Sequence, residues 1–267
     1  MKRHIVFFIL ILTLFTNLSF GQNTIEAKDK VLVMDFESAY VKARKVQIYL
    51  PKEYEENPTK HFPVLYMQDG QNLFDPQTAY KGRAWELDKS SRNAIKNNEI
   101  IPCIIVGISN VDTRFFEYFP QKATIYLTKD DYVLMEQGGL EQASDTSNYL
   151  ADNYLKFLVN ELKPFIDKNY RTKTEAASTA IGGSSSGALI SLYAICEYPQ
   201  IFGQAACIST HWSVLFDNEF ISPSESIRTY LKHNLPDPKT HRIYFDYGTL
   251  AIDRFYEIHQ IKVDQLM

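Results

Sequence analysis

The residues with the clearest capacity for chemistry stand together at Ile181-Gly182-Gly183-Ser184-Ser185-Ser186-Gly187. A serine with glycine two positions before and two after fits a G-x-S-x-G turn between a strand and a helix, which lifts one hydroxyl out of the backbone. Only Ser185 has both glycines, Gly183 and Gly187; moving the frame to Ser184 puts Ser186 where the second glycine belongs. Ala176-Ala177-Ser178-Thr179-Ala180 is small and strand-compatible, and Ala188-Leu189-Ile190-Ser191-Leu192-Tyr193-Ala194 reads as a buried helix. The same glycines would also suit an ordinary strand-to-helix turn.

A serine hydroxyl attacks only when a base takes its proton and amide donors receive the developing oxyanion. One donor expected from position is the N–H of Ser186, the residue after the nucleophile. The other is the N–H of Gln71, in the Asp69-Gly70-Gln71 turn, where Gly70 permits close backbone approach. The acid expected to follow a strand downstream of Ser185 is Asp253, with Asp246 as the alternative; either could instead cap a helix. His211 ends a strand on the expected site side, where it lines a pocket, substitutes as base or plays a structural part. Trp212 beside it, like Asp69 and Gly70, is a pocket candidate. His61 and His241 sit at strand starts, His233 lies far from a strand's carboxyl end, His4 is in the leader, and His259 follows Asp253 by only six residues.

The elements that must hold these groups alternate. Runs at Val31–Met34, Lys45–Leu50, Phe62–Met67, Ile100–Ile108, Phe202–Ser209 and Arg242–Tyr247 read as strands. Helical patterns cover Trp85–Lys96, Tyr149–Asn169 and Ile221–Leu231, with Pro164 expected to kink or tighten the second of these. Arg114–Pro120 reads as an aromatic loop, and 125–146 as either a cap insertion or a surface loop. Strands alternating with helices predict an α/β fold: a mostly parallel sheet with helices on both faces and its ligands beyond the strands' carboxyl ends.

A formal charge of −4 without a basic stripe argues against nucleic acid as a partner, and 45% apolar content argues for a packed core. Lys2-Arg3-His4, the apolar run Ile5–Phe15 and Ser19-Phe20-Gly21 predict a signal peptide over 1–21, hence export to periplasm or medium and no membrane attachment after cleavage. Cys103, Cys196 and Cys207 lack metal spacing and read as buried thiols, with a Cys196–Cys207 bridge the less favoured alternative; no metal and no organic cofactor is expected.

Four stretches in one order carry a family resemblance: Tyr66–Asp75, the Gly183–Gly187 elbow, Ser209-Thr210-His211-Trp212 and Tyr244-Phe245-Asp246-Tyr247-Gly248-Thr249. From about Val46 onward the chain resembles the "putative esterase" family of α/β-hydrolases, which includes enterochelin esterases, esterase D and feruloyl esterases. The resemblance implies a serine carboxylic-ester hydrolase working through an acyl-enzyme on a small-molecule ester, and it supports Gln71 and Asp253. It also implies a histidine after one further strand, then a closing helix. The sequence after Asp253 shows neither, so the expectation is an α/β-hydrolase domain over 22–267 lacking its final strand and helix, with crippled turnover. A non-catalytic ligand-binding relative and an acyltransferase are the other readings.

Overall fold

The computed structural model describes residues 29–212 and 222–267; the expected leader over 1–21 lies outside them. Among the described residues, seven strands form one sheet: β1 (Lys30–Phe36), β2 (Arg44–Leu50), β3 (Val64–Gln68), β4 (Ile104–Ile108), β5 (Thr179–Ser184), β6 (Gln204–Ile208) and β7 (Arg242–Asp246). Their order is β1-β2-β4-β3-β5-β6-β7. β2 runs antiparallel to β1 and β4, and all other pairings are parallel.

The chain leaves β3 toward β4 on one side and β5 toward β6 on the other. The crevice beyond the carboxyl ends of β3 and β5 is therefore the switch point where such sheets take their ligands. Register brings the ends level: Gln68 lies opposite Ile108, Ser184 opposite Ile208 and Ile208 opposite Asp246.

The helices are α1 (Lys52–Glu56), α2 (Leu87–Lys96), α3 (Arg114–Tyr118), α4 (Lys129–Gln137), α5 (Ala151–Lys156), α6 (Lys163–Asn169), α7 (Ser186–Glu197), α8 (Ser222–Asn234) and α9 (Glu257–Asp264). Strand side chains alternate between two cores, as a period of two requires. Ile48, Val64, Tyr66, Ile104 and Val106 join the larger core with α5 to α8, while Tyr49, Met67 and Ile105 form a smaller one, with Leu65 and Leu87 of α2 against it. Both faces of the sheet are therefore covered.

Three segments differ from the sequence expectation or refine it. Arg114–Tyr118 is a short helix, not a loop, because Phe115, Phe116, Tyr118 and Phe119 pack into the main core. Pro164 does not tighten its segment: it sits just inside α6, preceded by a wider π-helical stretch, Phe157–Leu162. Proline has no N–H for the carbonyl four residues back and its ring crowds that carbonyl, which a locally widened helix accommodates. The 125–146 segment contributes α4, whose Met135, like Ala143 beyond it, is buried in the main core; Thr128 and Asp131 form its capping box.

β7 is the last strand of the sheet in the described residues. Tyr244 on it is 59% exposed, whereas every residue of β4 is buried. The three cysteines are free thiols in the structure, and burial pushes Cys103 up to about 11 and Cys196 to about 12.

Candidate active site

Ser185 stands between β5 and α7 with φ 60° and ψ −124°, a backbone state that costs about 1–3 kcal/mol outside glycine. Four main-chain hydrogen bonds hold it there. Its N–H donates to the Ile208 carbonyl at 3.0 Å, and its carbonyl accepts from Ala188 at 3.0 Å and from Leu189 and His211 at 3.3 Å. The serine is half-buried.

The flanking glycines are required by close approach. A Cβ at Gly183 would lie 2.7 Å from the Gly187 carbonyl oxygen, and one at Gly187 would lie 3.0 Å from Gln68 Cβ. Ser186 opens α7, and the first N–H groups of a helix have no acceptor within it. Negative charge developing at this end is favoured by the same helix terminus.

The turn after β3 is built to equal tightness. Asp69 adopts the left-handed conformation, φ 56°, and Gly70-Gln71-Asn72 form one 3₁₀ turn. A Cβ at Gly70 would lie 2.4 Å from the Gly107 carbonyl carbon, so this turn rests directly on β4. Gln71 lies in the first turn, where the N–H is not used by the turn itself.

Asp69 is a clamp. Arg114 donates to it through Nε at 2.8 Å and Nη2 at 2.7 Å, and Asn110 Nδ2 donates at 2.6 Å. Burial works against the Arg114 charge, but the Asp69 hydrogen bonds outweigh it and the guanidinium pKa is raised. The Asn110 N–H also donates to Gln71 Oε1 at 3.1 Å, tying the loop after β4 to the turn after β3. Behind Arg114, the Arg44–Glu117 pair is fully enclosed, with bonds of 2.8 and 2.9 Å. Beneath the turn, the Tyr154 hydroxyl donates to Gln68 Oε1.

On the other flank, Asp253 is half-buried and accepts through Oδ2 from Ser209 Oγ at 2.8 Å and from the Gly248 N–H at 3.1 Å. No imidazole is hydrogen-bonded to Asp253 among the described residues. Asp246, the alternative acid, receives the Ser209 N–H on its side chain and on its carbonyl, both at 3.0 Å. His211 is buried, with Nδ1 2.9 Å from the Tyr256 hydroxyl; Trp212 is fully enclosed and donates to Gln260 Oε1 at 2.8 Å. Trp212 is therefore a core and docking residue rather than an open pocket wall.

His259 is buried against Ser224 and Arg228, at 2.9 and 3.4 Å from Nδ1. Desolvation first, then the charges of Arg228 and Lys262 and the neighbouring His211, lower its pKa to about 4. His61 and His233 are exposed. His241 Nε2 meets the Pro199 carbonyl at 2.9 Å, beneath the start of β7. No cluster of three or more metal-ligating side chains occurs among the described residues, and no helix among them is long and apolar enough to cross a membrane.

Sequence reasoning missed Asn110, Arg114 and Tyr256. Arg114 and Asn110 lie 45 and 41 residues from Asp69, and no local spacing signals their convergence.

A strand–turn–helix serine at the switch point of a mostly parallel, two-faced sheet defines an α/β-hydrolase fold. The family described as "Putative esterase" matches residues 38–255, and the chain belongs to it. A relative of Bacillus subtilis, the uncharacterized protein YbbA, is 29% identical over 170 residues, covering 63% of this chain and 58% of its own length. The endo-1,4-beta-xylanase/feruloyl esterase of Xylanibacter ruminicola is 24% identical over 210 residues, 76% of this chain and 22% of that protein. The match therefore spans less than two thirds of either relative. A solved ferulic acid esterase structure superposes with TM-score 0.61 at 19% identity, covering 90% of this chain and 86% of that one, which shows the shared fold.

Proposed function

We propose that this protein hydrolyses small carboxylic esters through an acyl-enzyme on Ser185. The observation that carries the reading is the strained, four-times-bonded backbone of Ser185 at the switch point, opposite a clamped turn. In this reading Ser185 Oγ attacks the acyl carbon. The Ser186 and Gln71 N–H groups receive the oxyanion, and the α7 terminus stabilises it. Asp253 is the site's acid, and Asp69 with Arg114 and Asn110 fixes the Gln71 turn.

Asp253 holds a hydroxyl and an amide rather than an imidazole. An Asp–His pair ordinarily orients the base and stabilises its charge. Turnover is accordingly proposed to be slow for an enzyme of this fold. The feruloyl esterase among the relatives makes feruloyl esters the first natural class to try, beside simple acetyl esters. The sequence pattern of residues 1–21 supports an exported protein.

The test is release of p-nitrophenol from p-nitrophenyl acetate and of ferulate from methyl ferulate. The purified protein should act above the buffer rate on at least one, and Ser185→Ala should bring that activity to background. Equal rates for the two proteins on both esters would refute the reading.

A further inference from the structure

The Asp69 carboxylate touches both walls of the proposed oxyanion site. Asp69 is the residue that enters the Gly70-Gln71-Asn72 turn. Its Oδ2 also lies 3.1 Å from where a Cβ on Gly187 would stand, so it rests against the first turn of α7, next to Ser186. The side chain is 11% exposed. A charge this enclosed is poorly screened by solvent ions.

A bare carboxylate there would oppose the reaction. It would sit in the positive field of the α7 terminus, the field the oxyanion uses, and like charges close together repel strongly in a partly buried setting. Neutral donors such as the Asn110 amide stabilise the carboxylate but leave its charge in place. Only a cation cancels it. Among the described residues, Arg114 is the cation paired with Asp69. Its guanidinium lies over the Tyr118 ring, 5.0 Å from the centroid, and donates to both carboxylate oxygens. The neighbouring acid Glu117 is served separately, because Arg44 donates to both of its oxygens.

We propose that Arg114 is a positioning residue that acts by charge: it neutralises Asp69, so that the oxyanion forms beside an ion pair rather than beside a carboxylate. This role presupposes Ser185 as the nucleophile and is distinct from the grip on the Gln71 turn. Grip depends on the planar fork of the guanidinium, which lysine lacks. Neutralisation depends on the positive charge, which lysine keeps. One substitution therefore separates the two.

The experiment follows the rate of fluorophosphonate labelling of the full chain, by intact mass, in wild type, Ser185→Ala, Arg114→Lys, Arg114→Gln and the Asp69→Asn/Arg114→Gln double variant. Melting curves monitor folding. The phosphonyl oxygen gains negative charge as the serine attacks, so the labelling rate reads the oxyanion site. Neutralisation predicts a fall of about 30-fold in Arg114→Gln and of less than about threefold in Arg114→Lys. Adding Asp69→Asn to Arg114→Gln removes the stranded charge and should recover about tenfold. Should Arg114→Gln fold poorly, Arg114→Lys decides alone. A loss of about tenfold or more in Arg114→Lys overturns the role, because the charge is still there. A double variant no faster than folded Arg114→Gln overturns it equally, and so does Arg114→Gln labelling at the wild-type rate. Each of these results leaves Ser185 as nucleophile. Absence of Ser185-dependent labelling in wild type overturns the nucleophile itself, and the role of Arg114 with it.

Discussion

The two flanks of Ser185 are held differently. On the β3–β4 side, the turn carrying Gln71 sits on β4 without room for a methyl group. It is gripped by Arg114 and Asn110, and the fully enclosed Arg44–Glu117 pair lies behind them. On the β7–α9 side, β7 is partly exposed along its length and Asp253 is half-buried. The Ser209–Trp212 loop meets this side through hydrogen bonds to Asp246, Asp253, Tyr256 and Gln260. An oxyanion site must be rigid, because its donors act only if they already point at the charge when it forms.

Five substitutions or conditions probe that contrast. The largest effect belongs to Arg44→Met, which strands the Glu117 carboxylate in the core and should cost about 3–5 kcal/mol in urea unfolding. Gly70→Ala follows, at about 3 kcal/mol, because its Cβ would meet β4 backbone that cannot retreat. The matching change on the other flank, Gly248→Ala, meets the Asp253 carboxyl at 2.9 Å, a side chain able to shift, and should cost about 1 kcal/mol. If the two glycine variants lose equal stability, the distinction between rigid and yielding flanks fails.

Acid should weaken the α8–α9 contact next. The folded pKa of His259 lies near 4 against 6.5 for a free imidazole, so the unfolded chain binds the proton more readily. Stability from this group is complete above about 6.5 and declines as pH falls toward 4. The melting temperature should drop over that interval, and His259→Gln should flatten the drop; an unchanged slope would place the acid sensitivity elsewhere. Smallest of all, Tyr244→Ser on exposed β7 should change stability by no more than about 0.5 kcal/mol.

The same contrast explains what could be read from the chain. Gly183, Gly187 and Gly70 were legible because a backbone that lacks room for a Cβ leaves its requirement in adjacent letters. The alternating strands were legible because each face of the sheet has its own core. The clamp on Asp69 was not, since its partners arrive from another loop, and an arginine among aromatics reads equally well as surface charge. The contact between Tyr256 and His211 was invisible for the same reason: it depends on the path of the chain into α9 past the loop after β6. The π-helical stretch before Pro164 escaped because proline reports a backbone conflict without reporting how the fold resolves it.

The central claim is that the strained turn presents one nucleophilic hydroxyl. Its most direct test is to label the full chain with a fluorophosphonate, digest it and locate the adduct by peptide mass spectrometry. A single modification on Ser185, absent in Ser185→Ala, is the predicted result. An adduct on Ser184, Ser186 or Ser209, or no adduct in folded protein, would contradict it.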